Sequence, residues 1–305
     1  VRRRARVRIQ LAVALREAGR APESLEQARE GLRLARAAEE PELLLQSQQS
    51  VAMALVDQGR AQEAEAFLVR EGVGEGELRS DVHTRSAIER YNAGVRSLES
   101  GDYGGAIAAF EALVRDERLD EGRRSTAGRS LQGVLGIQGD AQERAGQTEA
   151  AQASFVAALE WARKREDLEG QATLLLRLAR LRIRVEDPSG GMERAGEAAA
   201  KAREAGAQLL EGDAWMLVGD LRFDEDTVGA RESYAAALTA WGKEASTLAR
   251  RANVTYNLAA LDAREGEIAA AVERFGEARA LALRAGDKAL AARIGEVLES
   301  LESER

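Results

Sequence analysis

The chain has 305 residues and no cysteine, which excludes disulfides and thiol chemistry and leaves the redox compartment open. A net charge of -8, with a pI of about 5.2, offers no overall electrostatic basis for gripping a nucleic-acid backbone. No apolar run approaches the roughly 20 residues of a membrane span and no signal-peptide pattern opens the chain, so a cytoplasmic protein without membrane insertion is expected.

In chain order, Arg2, Arg3, Arg4, Arg6 and Arg8 open the sequence. They read either as the solvated face of a first helix or as an arm for an anionic partner. The spacing of Val7, Leu11, Val13 and Leu15 predicts a helix over about 3–18, and a second follows from Pro22, a residue suited to a first helical turn, to about Ala38. A second helix pair runs from Pro41 to about Glu71, where the other pairs mostly carry a small or apolar residue. Gly72-Val73-Gly74-Glu75-Gly76 then follows a helix rather than a strand and has no lysine after it, so it reads as a flexible loop and not as a phosphate cradle. Segment 72–80 is expected to act as a hinge between 1–71 and 81–286.

Residues 81–166 hold the two most regular pairs. Within them, 91–114 shows Ala93, Gly94 and Leu98, then the turn Gly101-Asp102-Tyr103, then Ala106, Ile107, Phe110, Leu113 and Val114, a helical hairpin closed by a glycine that can turn left-handed. The fifth pair, about 168–205, carries the insertion Glu186-Asp187-Pro188-Ser189-Gly190-Gly191; the sixth, about 207–242, has a shortened acidic turn at Asp224-Glu225-Asp226; the seventh spans about 245–285. In 287–305, Leu290, Ile294, Val297 and Leu301 mark one face and Lys288, Glu296, Glu299 and Glu302 the other, as expected of a capping helix that ends the array. The start shows no comparable cap and no initiator methionine, as expected of a piece cut from something longer.

A lone hairpin cannot bury both apolar faces, and the same pattern recurs. A turn residue, a small residue five places on and an apolar residue four further on appear as Gly19/Ser24/Ala28, Gly59/Ala64/Leu68, Gly101/Ala106/Phe110, Gly146/Ala151/Phe155, Gly190/Ala195/Ala199, Glu225/Ala230/Tyr234 and Gly266/Ala271/Phe275. Upstream of each turn lies a small residue, at Ala12, Ala52, Gly94, Gly139, Ala179, Gly219 and Ala259. Its distance to the turn slips by four residues before Gly190 and by one before Glu225. This pattern resembles the tetratricopeptide repeat, whose Ala-x3-Phe element is matched by Ala106/Phe110, Ala151/Phe155 and Ala271/Phe275 and whose Leu-Gly element is approached by Leu258-Ala259. The closing proline of that family is absent, and anchors 35 to 45 residues apart exceed its 34-residue period, as in long-helix versions of the repeat.

The resemblance implies an all-α, right-handed α-solenoid of about seven hairpins plus the cap. It also implies a concave groove lined by the first helix of each pair, at places two and six before the small residue and one and five after it. Carried over, these places put Arg177, Arg180 and Arg184, then Asp213 and Asp220 with Asp224, then Asn253, Asn257 and Arg264 in the groove, together with Asn92 and, beside it, Tyr91. The arginines fall on one helix face. Either they neutralise the aspartates of the next pair, or they and the asparagines grip an acidic segment or main-chain amides of a partner protein. Trp215 and Trp241 either pack together at one hairpin or, if exposed, form anchor points for that partner.

Catalysis is not expected, because His83 is the single imidazole and neither a triad nor a zinc ligand set accompanies it. No cofactor and no metal are expected. The expected role is a non-catalytic protein-interaction scaffold or adaptor in signalling, polarity or motility. The alternative is a peptide- or ligand-sensing regulatory domain that changes curvature on binding. Four lysines among 44 basic residues suggest a GC-rich bacterial coding sequence.

Overall fold

The computed structural model describes residues 1–303. Residues 304 and 305, the end of the expected cap, lie outside the described residues, as does the side chain of Glu302. All regular structure among the described residues is helical, and the chain forms two compact units, Val1–Val134 and Leu135–Arg305.

The first unit contains α1 (Arg2–Glu17), α2 (Ala21–Ala38), α3 (Pro41–Val56), α4 (Ala61–Arg70), α5 (Glu77–Glu99), α6 (Tyr103–Val114) and the start of α7 (Glu121–Arg144). The second contains the rest of α7, then α8 (Thr148–Lys164), α9 (Leu168–Arg184), α10 (Pro188–Ala205), α11 (Gln208–Arg222), α12 (Thr227–Trp241), a 3-10 turn at Ala245–Thr247, α13 (Leu248–Arg264), α14 (Ile268–Ala285) and α15 (Lys288–Ser303). Odd-numbered helices α1 to α13 are first members of hairpins, and even-numbered ones are second members. Consecutive helices pack on one another from α1 to α6 and from α8 to α15, while α1 also touches α3, α3 touches α5 and α9 touches α11. The glycine-rich segment lies inside the first unit, and α5 begins at Glu77, within the stretch expected as loop.

The repeated small residues are explained by their neighbours. A Cβ added at Gly139 would stand 2.5 Å from the Phe155 ring, one at Gly219 2.6 Å from Tyr234 and one at Gly94 3.0 Å from Phe110. At these three hairpins glycine on the first helix lets an aromatic ring on the second lie against its backbone, whereas in the seventh Ala259 holds that place in the cluster that contains Phe275. Where the facing residue is Ala28 or Leu68, alanine suffices at Ala12 and Ala52, and all four are buried. Phe110, Phe155 and Tyr234 are among the largest fully buried side chains in an interior made mainly of alanine and leucine, and burying a Phe contributes about 1.5–3 kcal/mol. Most turns close on a left-handed glycine such as Gly101 (φ 80).

The four-residue slip expected before Gly190 disappears. Glu186 takes the left-handed turn position (φ 60), α10 starts at Pro188, and Gly190 instead donates its N–H to Asp187 Oδ1 at 2.9 Å. The true anchors of this hairpin are Gly191 and Ala195, so successive small-residue anchors lie 39 to 45 residues apart. The same aspartate-to-glycine cap starts α6 (Asp102 to Gly105), α9 (Asp167 to Gly170) and α12 (Asp226 to Gly229). At Gly105, Gly190 and Gly229 an added Cβ would collide with the capping carboxylate.

Candidate functional site

The first-helix places singled out from sequence behave differently in the two units. In the second unit they form a ladder of polar pairs running from one first helix to the next. Arg177 pairs with Asp140, and its guanidinium lies 5.5 Å over the Phe155 ring. Arg184 Nη2 lies 3.2 Å from Glu143, Arg250 Nε 2.8 Å from Asp213 and Arg264 Nη1 3.3 Å from Asp224. Asn257 donates to Asp220 Oδ1 and to the Tyr234 hydroxyl, both at 3.1 Å, while Tyr234 donates to the same Asp220 oxygen at 2.8 Å. Burial raises the Tyr234 hydroxyl far above its usual pKa and keeps it a donor.

The arginine stripe is thus neutralised, but mainly by the preceding helix, α7, and not by the aspartates of α11. Those aspartates pair forward with α13. Burial pushes the Asp213 carboxyl above the usual range, outweighing the pull of Arg250 and Arg180. Arg180 is exposed and forms no ion pair among the described residues. Asn253 is exposed and donates to Ala249 O on its own helix. Trp215 and Trp241 join one apolar cluster; Trp241 is fully buried with its Nε1 donating to Leu209 O at 3.2 Å, while Trp215 Nε1 has no hydrogen-bond partner among the described residues.

The first unit has one such rung, with Arg16 Nε 3.7 Å from Asp57 Oδ2 at the places that Glu143 and Arg184 hold in the second, but its inner places carry no polar pairs. One residue after the small anchor stand Val13, Met53 and Val95, and two before it Gln10, Ser50 and Asn92. Instead an open cavity of about 480 Å³ lies between α5, the end of α6 and the start of α7, lined by Ala87, Ile88, Tyr91, Leu113, Leu119, Asp120, Gly122, Arg123 and Thr126. Its polar wall atoms are already engaged. The Tyr91 hydroxyl is 2.9 Å from Ser130 Oγ, Thr126 Oγ1 donates to Gly122 O at 2.9 Å, and Asp120 caps α7 through the Arg123 N–H at 2.9 Å while pairing with the Arg123 guanidinium. Tyr91 also packs on Phe110, with ring centroids 5.2 Å apart. What faces the cavity is mostly carbon, and Ile88 on its rim is 48% exposed. Ile88 stands six places before Gly94, one of the places the resemblance assigns to the groove, and Tyr91 lies beside Asn92, but the sequence did not disclose the cavity, whose walls Leu113, Leu119 and Thr126 come from two other helices and the loop joining them.

Beneath it, His83 is buried between two acids, with Nδ1 2.7 Å from Glu65 Oε1 and Nε2 3.1 Å from Asp116 Oδ2. Burial pushes the Glu65 carboxyl up, but His83, the nearby Ser86 hydroxyl and Arg118 together outweigh it and hold the group below its usual range. The Ser86 hydroxyl faces the carboxylate without a well-formed hydrogen bond. Of the opening arginines, Arg2 pairs with Glu40 at 2.7 Å and Arg8 bonds to Gln27, while Arg3, Arg4 and Arg6 are exposed. Among the described residues no cluster of acids and imidazole has metal-site geometry, and no helix is long and apolar enough to cross a membrane.

No protein-family model matches the chain, and no curated protein matches it. Among solved structures it is similar to the apo form of RapI, at 13% identity and a TM-score of 0.50, over 95% of this chain and 79% of that one. Looser similarity extends to BtubC (BKLC) from P. vanneervenii, at 15% identity and a TM-score of 0.43 over 93% and 89% of the two chains. It also extends to the TPR2AB domain of yeast Sti1 in complex with pHSP90, at 12% identity and a TM-score of 0.36 over 98% of each chain. Stacked hairpins with the small-residue and aromatic register described above, together with the likeness to RapI, make the fold a tetratricopeptide-like all-α solenoid.

Proposed function

We propose that the chain is a non-catalytic module that binds a protein or peptide partner, and that the first-helix face of its first unit supplies the docking surface. The observation that carries this is the contrast between registers. In the second unit Arg177, Arg184 and Asp213 are engaged in ion pairs within the protein, whereas in the first the half-exposed Ile88 rims an open apolar cavity. Apolar surface of this kind gains free energy when covered, at about 25 cal/mol per Å². His83 is buried, with Nδ1 on Glu65 and Nε2 beside Asp116, which suits a structural task.

The role this suits is recruitment, as scaffold or adaptor. The arginine-over-lysine usage fits a GC-rich bacterial coding sequence, and the proposed setting is the cytoplasm, in signalling, polarity or motility. In the second unit Arg180 remains an ionic contact point. A second reading, a peptide-responsive regulator, is favoured by the ladder itself, since pairs joining successive first helices would break or re-form as their spacing changed.

The test is affinity capture from a lysate of the source organism with three immobilised chains: native, Ile88→Asp, and Arg177→Glu with Arg184→Glu. A partner retained by the native chain and the arginine variant but lost by Ile88→Asp is the expected result. Retention of nothing above an unfolded control sinks the partner-binding reading. Loss only in the arginine variant moves the docking surface to the second unit. Peptide-induced protection of the ladder backbone from hydrogen exchange supports the regulator; unchanged exchange supports the scaffold.

A further inference from the structure

We infer that the exposed stripe of α1 formed by Val7, Leu11 and Ala14 docks an acidic amphipathic helix of a partner protein. This surface is separate from the cavity beside Ile88 and adds to the partner-binding reading. Register is the first support. Five places and one place before the small residue of a first helix, later hairpins carry Ser47 and Val51 in α3, Leu174 and Leu178 in α9, and Ala214 and Val218 in α11, all of them buried. These three helices pack against the second helix of the hairpin before, α2, α8 and α10 respectively, and Val51 shares an apolar cluster with Leu25 and Leu32 of α2. In α1 the same two places hold Val7 and Leu11, which are 53% and 41% exposed. Ala14 is exposed as well, where its counterpart Ala54 is fully buried. Steps of four and three residues put all three on one side of α1. The stripe is thus an inter-repeat face that no helix covers among the described residues, and covering it removes apolar surface from water.

The charges around the stripe decide what kind of helix fits. Nine and eight places before the small residue, α3 carries Leu43 and Leu44, whereas α1 carries Arg3 and Arg4, one turn before Val7. Both arginines are exposed and form no ion pair among the described residues. Their charged neighbours are engaged: Arg2 pairs with Glu40, Arg8 bonds to Gln27, and on α2 Glu23 pairs with Arg20 and Glu30 with Arg33. Glu26 and Arg29 project from the side of α2 opposite Ser24 and Gly31, which meet α1. The exposed Arg6 adds a further unpaired positive charge on the groove side, and the exposed Glu17 lies about four turns from Arg3 at the other end of α1. The start of the stripe therefore carries unpaired positive charge and no unpaired acid. An open groove of about 650 Å³ between Arg3, Arg4 and Val7 on α1 and Leu34 on α2 leaves room for an incoming carboxylate. An acidic helix completes these arginines and a basic one is repelled. A stripe one residue wide and about two turns long suits the ridge of a helix better than a broad membrane surface.

The experiment titrates the intact chain into three fluorescent helical peptides of about 18 residues, long enough to cover α1, and reads anisotropy. All three carry Leu and Ala along one helical face and differ only in having Glu, Gln or Lys on the flanks. Because the chain has a net charge of -8, non-specific attraction favours the Lys peptide, so a preference for Glu reads the local arginines. The Glu peptide is expected to bind at least about tenfold tighter than the Lys peptide, with the Gln peptide between them. Arg3→Glu with Arg4→Glu should reverse that order. Val7→Asp with Leu11→Asp should abolish binding of all three, and Ile88→Asp should bind as the native chain does; circular dichroism melting checks that every variant folds. Binding kept by Val7→Asp with Leu11→Asp but lost in Ile88→Asp overturns the α1 site and supports the cavity, so the two surfaces fail separately. Equal or Lys-favoured binding, or no binding of any peptide, also overturns the inference and leaves the capture result at Ile88 untouched. Self-association in sedimentation equilibrium that Val7→Asp with Leu11→Asp dissolves, with no peptide bound, reassigns the stripe to a second copy. Flotation with phosphatidylglycerol but not phosphatidylcholine vesicles, lost in Arg3→Glu with Arg4→Glu and again with no peptide bound, reassigns it to an anionic membrane surface.

Discussion

Two places on the first helix of successive hairpins meet across neighbouring repeats in the second unit, and in the first unit the same places hold residues of a different kind. One residue after the small anchor and two before it, the second unit pairs Asp140 with Arg177 and Asp220 with Asn257. The first unit puts Val13 and Met53 one after the anchor, and Ser50 and Asn92 two before it on the next hairpin. Both units carry side-chain links between first helices, Arg16 with Asp57 and Tyr91 with Ser130 in the first, but only the second pairs the two inner places of successive hairpins. A position on a repeat scaffold determines which residues meet, but the side chains there decide whether the face is closed or left for a partner.

The largest expected effect probes what the units share. Gly139→Val should cost about 1–3 kcal/mol in chemical denaturation by driving a side chain into the Phe155 ring. Gly94→Val should cost less, because the corresponding approach to Phe110 is 3.0 Å rather than 2.5 Å. Equal costs would mean that both hairpins relax alike and that their tightness does not differ.

Next comes acid-base behaviour, in which the units should titrate with opposite sign. Glu65 has a folded value below its unfolded one, so its stabilisation is complete above about pH 4.3 and is lost as pH falls through the depressed value. Glu65→Gln should therefore cost about 1.5 kcal/mol at neutral pH, and the difference should shrink in acid. Asp213 has a folded value above its unfolded one, so ionising it removes stability as pH rises from about 3.9 through the raised value. Relative to native, Asp213→Asn should gain ground over that rise. Denaturation curves collected across pH for both variants check the signs, and parallel trends would break the contrast.

Smaller still, Gly133→Ala should stabilise the chain by about 0.5–1 kcal/mol, since a helix-interior glycine with open space around it carries only an entropic penalty. The smallest effect is the most direct attempt to erase the difference between the units. Met53→Asp with Asn92→Arg copies the Asp140–Arg177 register into the first unit and should show a coupling of about 0.2–1 kcal/mol in a double-mutant cycle. That coupling should fade in about 1 M salt, where the Debye length is about 3 Å. No coupling at low salt would show that the register is not equivalent.

Several features were legible before any coordinates. Helix pairs, the small-residue register and the facing aromatics follow from local spacing, because a helix presents every third or fourth residue on one face. The slip at Gly190 was misread for a physical reason: a left-handed glutamate at Glu186 did the work expected of a glycine, and Gly190 served the Asp187 cap instead. A signal for this was present in the Asp-x-x-Gly spacing shared with Asp102/Gly105, Asp167/Gly170 and Asp226/Gly229. Arg177, Arg184, Asp213 and Arg264 were placed on the right helix faces, but their partners lie 37 to 41 residues away and depend on how far each repeat is rotated past the last.

By itself, then, the sequence determined the all-helical class, the hairpin unit and its repetition, since these depend on periodicity and on residue size at contacts between adjacent helices. Only the tertiary structure decided which charges neutralise each other, that His83 bridges Glu65 and Asp116, and that a cavity remains beside Ile88. Those outcomes turn on distances of a few ångströms between side chains dozens of residues apart, where Coulomb and packing energies change steeply and sequence spacing carries no information about separation.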